Sequence, residues 1–240
     1  MTSTAETSGT RATDGMGTVL VSGGASGLGA AVVAAVADAG GTSVVLDRQP
    51  PAGNVDHELV DLADPRAAER AVTLVAERHG GLDAVLTAAG TDTPGLLEEL
   101  DATVWEQVVQ VNLIGTAAVV RAALPYLLRS SGRVITVAST LGLRALSDAT
   151  AYCASKFGVV GFTRALAAET AGRVGVTMLV PGGMETAFFT GRDEKYLPPP
   201  DAKLNRPENV AAAVLFALRQ PAGCEIRELA IMPAKESSWP

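Results

Sequence analysis

The sequence is poor in the residues that build covalent or metal-held frameworks. Its 240 residues include two cysteines, Cys153 and Cys224, and two histidines, His57 and His79. Two cysteines cannot make a disulfide scaffold, and so few Cys and His residues lead us to expect no metal site. Aromatic residues are scarce, at 4%. Positive charge is also short: 19 Lys and Arg stand against 26 Asp and Glu, a net charge of −7. A surface of that sign repels phosphate backbones and anionic lipid, so neither nucleic acid nor a membrane is an expected partner. No apolar run near the roughly 20 residues of a membrane span stands out. The opening stretch MTSTAETSGTRATDGMG has one Arg and no apolar segment. Residues 1–16 therefore read as a flexible tail rather than a secretory signal, and the expected location is the cytoplasm.

What is abundant is apolar. Hydrophobic residues make up 48% of the chain and the mean hydropathy is +0.25, which excludes general disorder and suits one domain of ordinary size, residues 17–240. Short β-rich apolar runs alternate with Ala-rich stretches, the pattern of βαβ units around a parallel sheet. Strands are expected at 18–22, 43–47, 83–87, 132–138, 175–180 and 225–232. Helices are expected from the glycine-rich turn to about 38, over 64–78, 101–129, 151–171 and 206–219. Asp64 caps the second of these, Pro65 suits its first position and Gly80-Gly81 stops it. In the long helix Leu113, Ile114 and Val120 are candidates for burial. His79 falls in a last helical turn, where a cation is favourable, and His57 reads as a surface loop residue. The strands are continuously apolar rather than alternating, so the sheet is covered on both faces. The segment 182–205 has no regular pattern, and a loop of that length inside a compact domain is a functional candidate.

Between the first strand and its helix stands Ser22-Gly23-Gly24-Ala25-Ser26-Gly27-Leu28-Gly29. Gly23, Gly27 and Gly29 permit a tight turn, close approach of the backbone to a pyrophosphate, and close helix–strand packing. Free N–H groups at the helix start, with the helix dipole, attract phosphate. Asp47 ends the second strand about 18 residues later, where a carboxylate accepts hydrogen bonds from an adenosine ribose and repels the 2′-phosphate of NADP. Arg48 follows. It can stack over adenine, or pair with a 2′-phosphate if Asp47 turns away. NAD is the expected cofactor and NADP the alternative.

Tyr152 and Lys156 are spaced i, i+4 on one helix face. A free tyrosine, with a pKa of about 10, is a poor acid–base group at neutral pH, and a nearby ammonium favours its phenolate. A positively charged oxidised nicotinamide would act in the same sense. Ser139 sits at the carboxyl end of a strand, on the side where parallel sheets bind ligands, and can hold a substrate oxygen against the Tyr152 hydroxyl. Asn112 lies inside the long helix, where its amide can interrupt the backbone ladder and hold a water; Asn is otherwise mildly unfavourable there. Cys153 points away from Tyr152 and reads as a packing thiol.

In order and spacing, the turn at 22–29, Asp47, Asp61-Leu62, Ala88-Ala89-Gly90, Asn112, Ser139, the YCASK pentapeptide at 152–156 and PGGMET at 181–186 resemble the short-chain dehydrogenase/reductase family in its compact form. The resemblance covers roughly residues 17–232. It implies a single doubly wound α/β Rossmann domain with a mostly seven-stranded parallel sheet and helices on both faces. It further implies a tetrad: Tyr152 as general acid/base, Ser139 orienting the substrate oxygen, Lys156 lowering the tyrosine pKa and holding the nicotinamide ribose, and Asn112 fixing a water that relays protons through Lys156. Gly23, Ser26, Gly27, Leu28 and Gly29 would face the pyrophosphate, and Asp61 and Leu62 the adenine. Ala88, Ala89 and Gly90 would lie along the cofactor, and Pro181, Gly182, Met184 and Thr186 at its carboxamide end. A homotetramer or homodimer is implied by the resemblance alone.

One departure concerns Thr87-Ala88-Ala89-Gly90, where the family often has Asn-Asn-Ala-Gly; the side-chain hydrogen bonds of those asparagines at the sheet centre are missing. Expected walls of a substrate pocket are Leu141, Leu143, Met184, Phe188 and Phe189. No convergent Arg or Lys pair is obvious, so the expected substrate is an apolar or aromatic secondary alcohol or its ketone. Two other classes stay in view, a non-catalytic dinucleotide-binding regulator and a sugar-nucleotide epimerase or dehydratase. The complete acid–base set argues against the first, and the short chain against the second.

Overall fold

The structure is a computed structural model that describes residues 16–236 together with Ser238 and Trp239. Residues 1–15 of the expected tail therefore lie outside the described residues. Met16, at the end of that stretch, packs against the core.

Seven parallel strands form one sheet: β1 (Thr18–Ser22), β2 (Thr42–Asp47), β3 (Asp56–Leu59), β4 (Ala84–Thr87), β5 (Arg133–Val137), β6 (Gly175–Pro181) and β7 (Glu228–Ile231). Their spatial order is β3-β2-β1-β4-β5-β6-β7. The chain thus winds outward one way from β1 and then the other way from β4, and the crevice at that reversal lies above the carboxyl ends of the strands. The register sets Ser22 beside Thr87 and Leu46, so the strand ends are level where a ligand would lie.

Both faces are covered. On one, α1 (Gly27–Asp38) and α6 (Pro207–Leu218) pack over Val19, Val21, Val45, Leu86, Ile135 and Leu179. On the other, α2 (Pro65–Arg78) and α4 (Thr116–Ser130) cover Leu20, Val44, Leu46, Val85 and Val134. The long α5 (Thr150–Glu169) lies on that second side and adds Val159 and Val160 to a smaller cluster with Met178 and Val180. Burial of these side chains on two faces is the principal stabilising contribution.

Local signals act where expected. The Asp64 carboxylate accepts from the N–H groups of Arg66 and Ala67, capping α2, and Gly80 and Gly81 take φ of +69° and +137° past its end. Three expectations need correcting. His57 is not in a loop: it lies in β3, an edge strand paired only with β2. Ile114 is 40% exposed rather than buried. The long helix is α3 (Ala102–Val109), a π-helical segment (Gln110–Gly115) and α4 end to end. Taken as one helix, Ala102–Ser130 is long and apolar enough to cross a membrane by length and composition, although no such run was expected; its inner face is packed against the fold.

Candidate active site

A cleft of about 720 Å³ opens above the carboxyl ends of the strands. Its floor at one end is the glycine turn. Gly23 has φ of +74°, and a Cβ there would stand 2.5 Å from the Ala89 nitrogen; at Gly29 a Cβ would stand 2.0 Å from the Gly23 carbonyl oxygen. Only glycine fits at either position. Ser26 is the N-cap of α1 but makes no side-chain cap bond, and the first turn of α1 carries no acidic residue. That leaves the helix N-terminus and a hydroxyl available to an anion. Across the cleft, the Thr186 methyl would be 3.2 Å from a Cβ at Gly27, so the PGGMET segment closes over the turn. This cradle fits the pyrophosphate of a dinucleotide.

Asp47 stands at the cleft with its carboxylate held from below. Its Oδ2 accepts from the Ala25 N–H at 3.0 Å and its Oδ1 from the Gln49 N–H at 3.1 Å. Arg48, Asp61 and Leu62 line the same end, and Ala88, Ala89 and Gly90 continue along the floor. Beneath them the Ser22 and Thr87 hydroxyls are buried without a hydrogen-bond partner. This is where the Asn-to-Thr departure removes side-chain bonding from the sheet centre.

At the far end Ser139, Tyr152 and Lys156 converge. Ser139 caps a short turn by accepting from the Leu141 N–H at 3.1 Å, and its hydroxyl acts on the Tyr152 phenol, favouring its ionised form. The Lys156 ammonium, buried one helical turn along, donates to the Val137 carbonyl at 2.8 Å and lies 5.6 Å from the Tyr152 ring centroid. Burial lowers the Lys156 pKa to about 8. Burial also pushes the Tyr152 phenol up to about 12, with the Asp92 carboxylate adding to the rise and the Ser139 hydroxyl opposing it. The expected lowering of the tyrosine by Lys156 is therefore absent: the ammonium is turned toward the Val137 carbonyl, and desolvation decides the sign.

Asn112 does not line the cleft. It is fully buried in the π-helical segment, so the backbone ladder is interrupted there as expected. Its amide, however, is committed to protein. Oδ1 accepts from the Thr91 N–H at 2.8 Å, and Nδ2 donates to the Thr91 carbonyl at 2.8 Å and to Ser155 Oγ at 3.0 Å. Asn112 thus clamps the chain that follows β4, with both Nδ2 hydrogens engaged and one lone pair of Oδ1 used.

The substrate end is only partly as expected. Leu141, Met184, Phe188 and Phe189 line the cleft, whereas Leu143 packs into the core with Val159 and Met178. The Phe188 ring lies 5.7 Å from that of Tyr152. The wall is not apolar throughout, because Asp92 and Arg192 stand in it. Sequence reasoning missed both, and also Glu236, whose carboxylate accepts from the Gly183 N–H at 2.9 Å and ties the C-terminal segment over the cleft. Asp92, two residues past Gly90, was within reach of inspection. Its pairing with Arg192 carries no sequence signal.

A buried lysine costs stability, and its pKa gives the sign. Between about pH 8 and the ordinary 10.5, the folded chain binds fewer protons at Lys156 than the unfolded chain does. The penalty is complete below that window and fades as pH rises through it. Lys156→Met is accordingly expected to unfold at or above the parent's temperature at pH 7, with a gain of about 2 kcal/mol or less once the lost bond to Val137 is counted. That advantage should shrink toward pH 10 in paired thermal melts. A variant less stable than the parent at pH 7, or a difference independent of pH, would refute the burial assignment.

Residues 17–197 match the short chain dehydrogenase family. The chain is 33% identical to L-fucose dehydrogenase of Mus musculus over 92% of this chain and 89% of that protein. It is 30% identical to an uncharacterized oxidoreductase of Staphylococcus aureus strain MW2, over 89% of this chain and 96% of the relative. Among solved structures it resembles the ligand-free aldohexose dehydrogenase of Thermoplasma acidophilum, with a TM-score of 0.81 at 23% identity, covering 90% and 92% of the two chains. It also resembles an alcohol dehydrogenase of the archaeon Thermococcus sibiricus complexed with 5-hydroxy-NADP, with a TM-score of 0.80 at 24% identity, covering 90% and 96%. At those identities the two structures speak for the fold alone.

Proposed function

Because the chain belongs to the short-chain dehydrogenase family and is an NAD(P)-dependent oxidoreductase of that family, we propose that it moves a hydride between NAD(H) and the carbinol carbon of a secondary alcohol, with Tyr152 as general acid/base. The observation that carries this reading is the convergence of Ser139, Tyr152 and Lys156 at one end of a cleft whose other end is the glycine cradle and Asp47. The nicotinamide supplies the carbon that gives or takes the hydride and, when oxidised, a positive charge beside the phenol.

The protein's own groups handle the proton. With its pKa raised to about 12, Tyr152 is a neutral phenol, poised to give a proton to a carbonyl oxygen. In the alcohol direction it takes the hydroxyl proton as the phenolate, a form that the positive charge of Arg192 and of the oxidised nicotinamide favours. Ser139 holds the substrate oxygen by its hydroxyl, while Asn112 keeps the floor at Thr91 rigid. Asp47 favours NAD over NADP by occupying the position a 2′-phosphate would need. Arg48 in the cleft wall supports a second reading, an NADPH-dependent ketone reductase. Cytoplasmic location and assembly as a homodimer or homotetramer belong to the same proposal; Ile114, Leu128 and Phe157 offer exposed apolar surface on the long helices.

The test is isotopic. Secondary alcohols carrying deuterium on the carbinol carbon are incubated with the protein and NAD, and the reduced cofactor is analysed by mass. One deuterium per NADH formed is expected, with a primary isotope effect where chemistry limits the rate. NADH formed without deuterium, or no transfer from any alcohol in a broad panel, would overturn the proposal.

A further inference from the structure

Asp92 and Arg192 come from distant parts of the chain and meet in the wall of the cleft. Arg192 Nη2 lies 3.1 Å from Asp92 Oδ2, and the two side chains are 11% and 6% exposed respectively. The guanidinium rests 4.4 Å from the ring centroid of Phe188 and 5.0 Å from that of Phe189. Phe188 in turn lies against Tyr152, so the pair stands one aromatic ring away from the phenol.

The pair does not satisfy itself. Asp92 Oδ1, Arg192 Nε and Arg192 Nη2 are buried without a hydrogen-bond partner, and the pair meets only through the 3.1 Å ion contact of Nη2 with Oδ2. Buried charged groups left in that condition are costly and call for a partner. Asp92 lines the same cleft as Tyr152 and Lys156, and its charge acts on both.

We infer that Asp92 and Arg192 form a polar subsite for a hydroxyl adjacent to the reacting carbon, so that the substrate class is a neutral vicinal diol or polyol rather than a hydrocarbon alcohol. The inference rests on the function proposed above and names the substrate class for the same site. A hydroxyl can donate to Asp92 Oδ1 and accept from Arg192 at once. A carboxylate is drawn to Arg192 but repelled by Asp92, and an ammonium the reverse, whereas a neutral hydroxyl meets no like charge. An apolar substituent leaves three buried polar atoms unpaired, and sites built to bond a hydroxyl reject analogues that lack it far more strongly than apolar pockets reject a wrong size.

The test separates binding from turnover. Calorimetry on the protein loaded with NADH measures affinity for cis-1,2-cyclohexanediol and for cyclohexanol; neither alcohol can react with the reduced cofactor. The diol is expected to bind about 100-fold more tightly, or better. Asp92→Ala and Arg192→Met, each checked for retained NADH binding as evidence of folding, are expected to reduce that preference to about threefold or less. Equal affinities in the parent, absence of diol binding, or variants that weaken both alcohols by the same factor would overturn the subsite; the last outcome would mark the pair as a structural tie alone. A clear diol preference without deuterium transfer from any alcohol would instead retain the subsite and remove the proposed reaction.

Discussion

Tyr152→Phe is expected to lower turnover by about 10³- to 10⁴-fold while leaving NADH affinity within about twofold of the parent. The substitution deletes one oxygen and little else. The ring keeps its place against Phe188, at 5.7 Å, and near the Lys156 ammonium, at 5.6 Å. The hydroxyl is the group on which Ser139 acts and whose pKa desolvation lifts to about 12. Without it the proton of the reacting oxygen has no acceptor of suitable strength in place, since Lys156 is engaged by the Val137 carbonyl at 2.8 Å. The dinucleotide cradle lies at the other end of the cleft and does not depend on the phenol. Initial rates and fluorescence titrations on the same preparations check both halves. Turnover comparable to the parent would remove Tyr152 from the acid–base role.

The second large effect concerns cofactor choice. Asp47→Ser is expected to shift the ratio of NADPH to NADH affinity by about 10²- to 10³-fold toward NADPH. The Asp47 carboxylate is not free to swing away, because Oδ2 accepts from Ala25 and Oδ1 from Gln49. A 2′-phosphate brought beside that fixed negative charge meets a repulsion of about 4 kcal/mol per unit charge at 4 Å in a surface-like dielectric. Serine keeps an oxygen near the Ala25 N–H and removes the charge, while Arg48 in the same wall gains a phosphate to pair with. An unchanged ratio in paired titrations would mean that Asp47 does not read the ribose.

Much of this site was legible before the structure because its parts are local in sequence. The glycine turn, the strand-ending Asp47 and the Tyr152–Lys156 spacing each depend on a few neighbouring residues, and the parallel sheet places their strand ends at one edge. What escaped was either weakly patterned or distant. The strand β3 reads Asp56-His57-Glu58-Leu59, with Leu59 60% exposed. An edge strand need not be apolar and so leaves no hydrophobic signature. The commitment of the Asn112 amide to Thr91 and Ser155 spans 21 and 43 residues. The Asp92–Arg192 contact joins the chain after β4 to an irregular segment, and no periodicity reports such a meeting. The sign of the Tyr152 shift was missed for a related reason: spacing shows that a lysine is near, but not that its ammonium is turned aside and the phenol desolvated.

The most direct test of this assignment needs no knowledge of the substrate: titration of the purified protein with NADH and, separately, NADPH, followed by cofactor fluorescence. The expected result is saturable binding of both with NADH tighter by about tenfold or more, as a fixed carboxylate at the ribose requires. Tighter NADPH binding would contradict the NAD assignment and pass the phosphate to Arg48; failure of either cofactor to bind would contradict the dinucleotide cleft itself.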